Sequence, residues 1–254
     1  MVIPLGDSPN PRGFPFINYA LIIANIAVFV LISLPLSTTP VDRSNPALAE
    51  YVTVVSRTAR SRLPREALLE RTSAYDLFIF EHGFRPSAPD AVALFESLFL
   101  HASLLHLLGN MLIVWIYGNN VEHRLGHLRY LFAYIATGVA ATLFHMSFAA
   151  DSPTPMVGAS GAISGVLGFY FRWFPRNKVR LFVFLFPFLM DVIEVPARLV
   201  LGFYLLADNL LPFLLSASAD GGVAYGAHIG GFIAGVIAAW ILNRRHPQVI
   251  IDRL

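Results

Sequence analysis

Six stretches of this chain are each long and apolar enough to cross a lipid bilayer, and this excludes most folds before any motif is considered. A spanning helix needs about 20 mostly apolar residues. Residues 16–36, 98–118, 129–149, 157–174, 197–215 and 223–242 meet that need to within a few residues at each end. Inside hydrocarbon the backbone polar groups must bond within the segment itself, which makes each such span a helix. The expected fold is an all-α membrane protein, a bundle of six transmembrane helices. Composition agrees, with 56% hydrophobic and 13% charged residues, where soluble domains hold about 25% charged. The same numbers exclude a disordered chain. A net charge of +2 gives no reason to expect a nucleic-acid partner. The absence of Cys removes disulfides, thiolate metal sites and cysteine nucleophiles.

The apolar part of the first stretch is longer than that of a signal peptide, and no small-residue cleavage site follows it, so it reads as a retained span. A further apolar run, Val179 to Met190, is too short to cross and is broken by Asp191, Glu194 and Pro196. It reads as an interfacial or re-entrant piece leading into the fifth span. Residues 37–97 form one long connection in which Arg57, Arg60, Arg62, Arg65 and Arg71 stand against Glu50, Glu66, Glu70 and Asp76. Pro64 suits the first turn of a short helix running to about Thr72. Tyr51–Val55 and Leu77–Phe80 are apolar enough to lie on a bilayer surface. The organisation expected is a short lead over 1–15, a membrane domain over 16–243 and a short tail over 244–254, with no soluble accessory domain and no internal repeat.

Lys and Arg in short loops mark the cytoplasmic side. Arg124 and Arg129 follow the second span, Arg172, Arg176, Lys178 and Arg180 follow the fourth, and Arg244, Arg245 and Arg253 follow the sixth. The alternate loops carry only Asp151 and Asp220. Both termini are therefore expected in the cytoplasm, with the 37–97 loop outside, in the plasma membrane of a cell. Trp115, Trp173 and Trp240 fall toward the cytoplasmic ends of their spans, as interfacial aromatics do.

Polar side chains in a bilayer are costly and need a reason. His106 and Asn110 lie four residues apart, on one face near the outer end of the second span. Ser160 opens the fourth span from outside, and His228 lies early in the sixth, again entered from outside. Three helices thus bring a serine, a histidine and a His/Asn pair to a similar depth, within ~10 Å of the outer surface at 1.5 Å per residue. These groups suit acyl transfer. A serine hydroxyl is a weak nucleophile until a base takes its proton, neutral imidazole does this near neutral pH, and the oxyanion that forms needs fixed donors. Asn110, His106 and the Ser160 amide at a helix N-terminus can supply them. Gly161/Gly165 and Gly231/Gly235 are small-xxx-small pairs that let helix backbones approach closely, and packing the fourth span on the sixth would set His228 beside Ser160. Each feature also has a plain structural reading, as packing or as polar contacts between helices. A metalloprotease reading of His123-Arg124-Leu125-Gly126-His127 lacks the glutamate between the histidines. A transport or haem protein using His101, His106, His145 and His228 is a further alternative, although no repeat of the kind common in transporters is visible. His145 reads as a structural hydrogen-bonder.

The same residues carry a resemblance. His101-Ala-Ser-Leu-Leu-His106-Leu-Leu-Gly-Asn110, Gly158-Ala-Ser160-Gly161 and Ala227-His228 followed by Gly231 and Gly235 resemble the motifs of the rhomboid intramembrane serine proteases, as does the Val121–Gly126 turn. The likeness covers about residues 16–243. It implies a nucleophile at Ser160, a general base at His228 and an oxyanion hole of His106, Asn110 and the Ser160 amide. It implies membrane-protein substrates, single-pass or multi-pass, cut within or beside a transmembrane segment. It implies no metal or cofactor, and a lateral route between the second and fifth spans; it leaves oligomeric state open. An inactive rhomboid-like protein that binds membrane clients is the alternative within the family. Three departures stand out. Some members place a Tyr four residues after the nucleophile, against the catalytic His, where this chain has Ser164. Some carry a Trp-Arg pair in the first loop, for which Phe84-Arg85 is a loose substitute. Asp208 lies inside the fifth span beside Asn209 and is expected to be protonated or to face a wet cavity.

Overall fold

The structure, a computed structural model, describes residues 2–58, 64–185, 189–215 and 223–245. Arg60, Arg62, Asp220 and Arg253, which entered the loop and orientation arguments, lie outside the described residues, as do the side chains of Arg244 and Arg245.

The chain opens with a strand, β1 (Val2–Ser8), and then enters the long helix α1 (Phe16–Ser37), which widens through one π-turn at Phe29–Ser33. Nothing in the Pro15-Phe16-Ile17-Asn18 start supplies a side-chain cap. The buried Glu122 does so from another helix, accepting the backbone N–H groups of Ile17 at 2.9 Å and Asn18 at 2.7 Å. A carboxylate at a helix N-terminus meets both the free donors and the positive end of the dipole.

The long first connection holds four short helices, α2 (Ala47–Thr58), α3 (Arg65–Arg71), α4 (Ala74–His82) and α5 (Ala91–Glu96). Pro64 sits at the N-cap of α3, one residue before its expected place. These helices enclose a small core of Val41, Leu48, Val52, Leu68, Leu77 and Phe80. Within Tyr51–Val55 and Leu77–Phe80, the side chains of Val52, Leu77 and Phe80 are buried in this core, with Tyr51 edge-on to Phe80 at 5.5 Å. Arg85 closes this unit, lying over the Phe80 ring at 4.3 Å and pairing with Glu50.

The bundle proper follows. α6 (Leu104–Leu125) is N-capped by Ser103, whose hydroxyl accepts the His106 N–H at 3.2 Å. Gly126, at φ +81°, makes the abrupt turn into α7 (His127–Met146), a conformation that a side chain disfavours. α8 (Ser160–Trp173) has 14 residues and is buried from Gly161 through Tyr170. At 1.5 Å per residue it spans ~21 Å, short of the ~30 Å hydrocarbon thickness, so its first residue starts inside the bundle. After β2 (Lys178–Leu185) and β3 (Leu189–Pro196) come α9 (Ala197–Leu215) and α10 (Tyr225–Arg245).

Among the described residues, α1, α6, α9 and the Tyr225–Asn243 part of α10 are long and apolar enough to cross a membrane. α7 and α8 pack between them as the centre of the bundle. The core gathers around α8, where Tyr117, Tyr130, Tyr134, Ile163, Val166, Phe169 and Phe232 are nearly or fully enclosed. α9 is the loosest of the long helices: 11% of its apolar window is buried, against 50% for α6 and 44% for α10.

The structure departs from an all-α fold at one end. β1, β2 and β3 form a three-stranded antiparallel sheet in that order. The described residues of the Val179–Met190 run are thus antiparallel strand rather than a re-entrant piece. Its alternation turns Val179 and Val183 inward, while Lys178 pairs with Glu194 at 3.0 Å across the strands. The lead before α1 is the third strand. Its Asp7 is buried, accepting bonds from the Tyr170 hydroxyl and, at 2.8 Å, from Asn120.

Candidate active site

Ser160 is the first residue of α8, and the chain is tied down on the way to it. Phe84 and Met156 exchange both backbone hydrogen bonds, at 3.1 and 2.8 Å, and the Gly158 N–H reaches the Ser97 carbonyl at 2.8 Å. The first connection, through Phe84 and through Ser97 at the end of α5, therefore fixes the lead-in to the serine. Gly158 has φ +122°, and a Cβ built there would lie 2.7 Å from the His106 ring. Only glycine lets the backbone pass that imidazole in this conformation.

His228 reaches the serine from α10. Its Nε2 lies 2.9 Å from Ser160 Oγ. The approach is possible because α8 and α10 pack glycine to backbone: a Cβ on Gly231 would run into the Gly161 carbonyl, and one on Gly235 into that of Gly165. Gly161 faces Ala141 and Gly165 faces Thr137, both on α7, so α8 is clasped on two sides.

The His/Asn pair of α6 lies beside the lead-in. His106 touches the Gly158 position, and the Asn110 amide nitrogen is close behind it, 3.7 Å from the same built Cβ. Asn110 Nδ2 also lies 2.9 Å from His101 Nε2, and His101 Nδ1 lies 3.3 Å from the Phe99 carbonyl. A ring whose Nδ1 faces a carbonyl carries its proton there, so Nε2 accepts from the amide, and one amide hydrogen of Asn110 stays available. His101 is fully buried, and its carbonyl accepts the Tyr75 hydroxyl at 2.9 Å, while Tyr75 accepts Ser33 Oγ–H at 2.8 Å. A polar chain thus runs from α1 through α4 to the pair on α6.

Sequence reasoning missed two residues on α9. Asn209 Oδ1 lies 2.7 Å from His228 Nδ1, and the Tyr204 ring stacks on the His228 ring at 6.5 Å and 30°. The Tyr204 hydroxyl in turn lies 2.8 Å from Ser164 Oγ. An aromatic face is therefore present at the histidine, carried by a different helix from the one expected. The sequence signal available was an amide beside a carboxylate in an apolar span.

Asp208, His127 and Arg85 stay apart from this cluster, whereas His145 borders it beside Gly226. Asp208 is exposed on the outer side of α9. His127 bonds to Glu122, at the sheet end of the bundle. His145, expected to be a structural hydrogen-bonder, has a buried Nδ1 without a hydrogen-bond partner among the described residues. Phe84 is buried, and Arg85 serves the loop core rather than the serine.

Comparison with known proteins accords with this arrangement. The family model of the Rhomboid domain matches residues 89–245. "Rhomboid protein 1, mitochondrial" of Saccharomyces cerevisiae is 31% identical over 157 residues, 60% of this chain and 42% of its own length. "RHOMBOID-like protein 1" of Arabidopsis thaliana is 27% identical over 248 residues, 94% of this chain and 56% of its own. "Rhomboid protease GluP" of Bacillus subtilis is 32% identical over 144 residues, 57% of this chain and 24% of its own. The chain thus spans about half or less of the length of these relatives. The match takes in α6 to α10 and every residue of the cluster, and together with the apolar helices it places this chain in the rhomboid family as a multi-pass integral membrane protein.

Proposed function

We propose that this protein is an intramembrane serine endopeptidase that cuts membrane-protein substrates through a Ser160–His228 dyad. The observation that carries the reading is the 2.9 Å separation of His228 Nε2 from Ser160 Oγ, the distance at which an imidazole can take a hydroxyl proton. Ser160 Oγ attacks the scissile carbonyl as its proton passes to His228. The oxygen that becomes negative is received by the Ser160 N–H, the free amide hydrogen of Asn110 and the His106 ring. Collapse of that intermediate breaks the C–N bond, and the His228 proton goes to the leaving amine. Water then attacks the acyl-enzyme, with His228 again the base.

Substrate comes from the side. Among the described residues α6 and α9 scarcely touch each other. The surfaces near that gap are apolar, with Leu105 and Leu108 exposed on α6 and Phe203, Leu206 and Leu211 exposed on α9. A transmembrane segment entering there must unwind to offer an extended backbone, so weak helix formers near the cut favour cleavage. The chain crosses the membrane six times, with the sheet end in the cytoplasm and Ser160 toward the outer face.

The test is a fluorophosphonate probe together with a transmembrane-peptide substrate in detergent. Wild type is expected to label and to cleave. Ser160→Ala and His228→Ala are expected to do neither, while remaining folded by thermal shift. Full activity in either variant removes the dyad. A folded wild type that neither labels nor cleaves in detergent or in liposomes would make the protein a binder of membrane clients.

A further inference from the structure

Asp208 and Asn209 are consecutive on α9, and the π-turn Leu206–Leu210 accompanies an arrangement in which the amide faces the bundle and the carboxylate faces out. Asn209 is 2% exposed. Its Nδ2 donates to the Tyr204 carbonyl at 2.7 Å, five residues back. With the nitrogen committed to that carbonyl, the amide presents its oxygen to whatever lies on the other side. What lies there is His228 Nδ1, at 2.7 Å. An acceptor at Nδ1 keeps the ring proton on Nδ1 and leaves the lone pair on Nε2, which faces the Ser160 hydroxyl. The opposite tautomer would set a lone pair against the Asn209 oxygen and an N–H against the group that has to give up its proton. Tyr204, on the same stretch of α9, covers the ring face and is itself held through Ser164.

We propose that Asn209 is the positioning residue of the dyad: through its side-chain oxygen it holds His228 in the base tautomer and aims Nε2 at Ser160. The assignment rests on the dyad reading given above. Asn209 touches neither substrate nor the reacting atoms and takes up no proton; it fixes where the proton of His228 sits before the reaction begins. A neutral amide can do this where a carboxylate would carry a full charge into an apolar helix.

Three variants in detergent, assayed with the transmembrane-peptide substrate, test the proposal. Asn209→Ala is expected to lower kcat by about 10- to 100-fold with KM within about twofold, because substrate binding is untouched and the base is not. Asn209→Asp keeps an acceptor at Nδ1 and is expected to recover most of the lost kcat. It should also move the acid limb of the kcat/KM profile up by about one pH unit, because a carboxylate favours the imidazolium. Among the described residues, the other titratable groups near enough to act on His228 are His106 and His145, with Tyr204 at its ring face. All are unchanged in each variant, so a shift seen only with Asn209→Asp reports on His228. Asp208→Asn, on the same turn, is the control and is expected to match wild type. Retention of kcat within twofold by Asn209→Ala overturns the proposal, as does an Asn209→Asp variant with an unmoved acid limb. If Asn209→Ala does not fold, the Asn209→Asp profile decides alone. Ser160→Ala, run alongside, separates the two levels: an active Ser160→Ala fails the dyad itself, whereas an inactive one beside an active Asn209→Ala fails only the role of Asn209.

Discussion

Replacing Gly231 with alanine should disable the site from the far side of a helix, and the size of the effect follows from the packing. The added Cβ would fall against the Gly161 carbonyl oxygen, with the Ala141 methyl a further 3.3 Å neighbour. Ordinary carbon–oxygen contact begins at about 3.3 Å, and the built position lies well inside it. The obstacle is helix backbone and cannot rotate aside, so α8 and α10 must separate by something on the order of an ångström. His228 lies one turn before Gly231 on α10, and Ser160 immediately precedes Gly161 on α8, so the separation is delivered to the 2.9 Å hydrogen bond between them. A misplacement of about 1 Å costs roughly 100-fold in rate, equivalent to about 2.7 kcal/mol of barrier. Overpacking of a close seam costs about 1–3 kcal/mol in stability. The assay pairs turnover of a transmembrane-peptide substrate with thermal unfolding in the same detergent. Gly202→Ala is the comparison: among the described residues nothing lies within 4 Å of a Cβ at Gly202 on α9, so it should leave turnover near wild type and gain about 0.5–1 kcal/mol of helix stability. Turnover within twofold of wild type in Gly231→Ala would refute the argument that the glycine seam sets the Ser–His distance.

Other substitutions test the remaining parts of the structure. Asn110→Ala should lower turnover by roughly 10- to 1000-fold if its amide serves the oxyanion, and a change confined to KM would count against that role. Glu122→Ala removes the acceptor of two backbone N–H groups at the start of α1 and should cost about 3 kcal/mol or more, read as a fall in unfolding temperature with the dyad geometry intact. Asp7 gives a pH dependence. Burial lifts its carboxyl above the ordinary aspartate range, outweighing the hydrogen bond from Tyr170. The folded state therefore holds the proton more tightly than the unfolded chain, and stability declines as pH rises from the ordinary aspartate value through the raised one. Asp7→Asn should abolish that decline and stabilise the protein at neutral pH. The check is the unfolding temperature of both forms across acid and neutral pH, and parallel curves would refute the assignment.

What the sequence made legible follows from how far each signal reaches along the chain. The long apolar helices could be read because their determinant is local, about 20 consecutive side chains that need one solvent; 197–215 coincides with α9 end to end. The second apolar stretch, 98–118, begins six residues before α6, because Ser103 caps α6 and the helix continues past Asn119 and Asn120 to Leu125. Those polar residues are tolerated because β1 and its turn bind them, Asn119 and Asn120 both reaching Asn10 Oδ1. Such partners come from a remote part of the chain, and no window on the sequence contains both. The sheet is hidden for the same reason: β1 (Val2–Ser8) and β2 (Lys178–Leu185) lie far apart in the sequence, and a continuous apolar run alone does not distinguish a strand from a buried helix segment. The Ser–His pair was accessible because depth in a membrane is a coordinate that sequence supplies. Three helices whose directions are inferred from loop charge are enough to suggest that a serine, a histidine and a His/Asn pair share one level.

Asn209 shows where that coordinate runs out. Depth set both Asp208 and Asn209 inside the fifth span, but which of them faces the bundle depends on rotation about the helix axis. The charged residue draws attention because a charge in hydrocarbon is the more expensive anomaly. In the structure Asp208 points away from the bundle, and the inward place goes to the neutral amide. Charge is what marks a residue in a sequence, whereas a base needs an acceptor at Nδ1 in the right direction, and an amide oxygen meets that need without an ion. The rotation that provides it accompanies a single π-turn in the least buried of the long helices. α9 borders the gap beside α6 and also carries the two side chains that hold His228, so a substrate entering there must leave the Tyr204–Asn209 stretch in place. Opening of the gap is therefore expected to bend α9 beyond the π-turn, toward Leu211–Leu215, rather than to swing the whole helix.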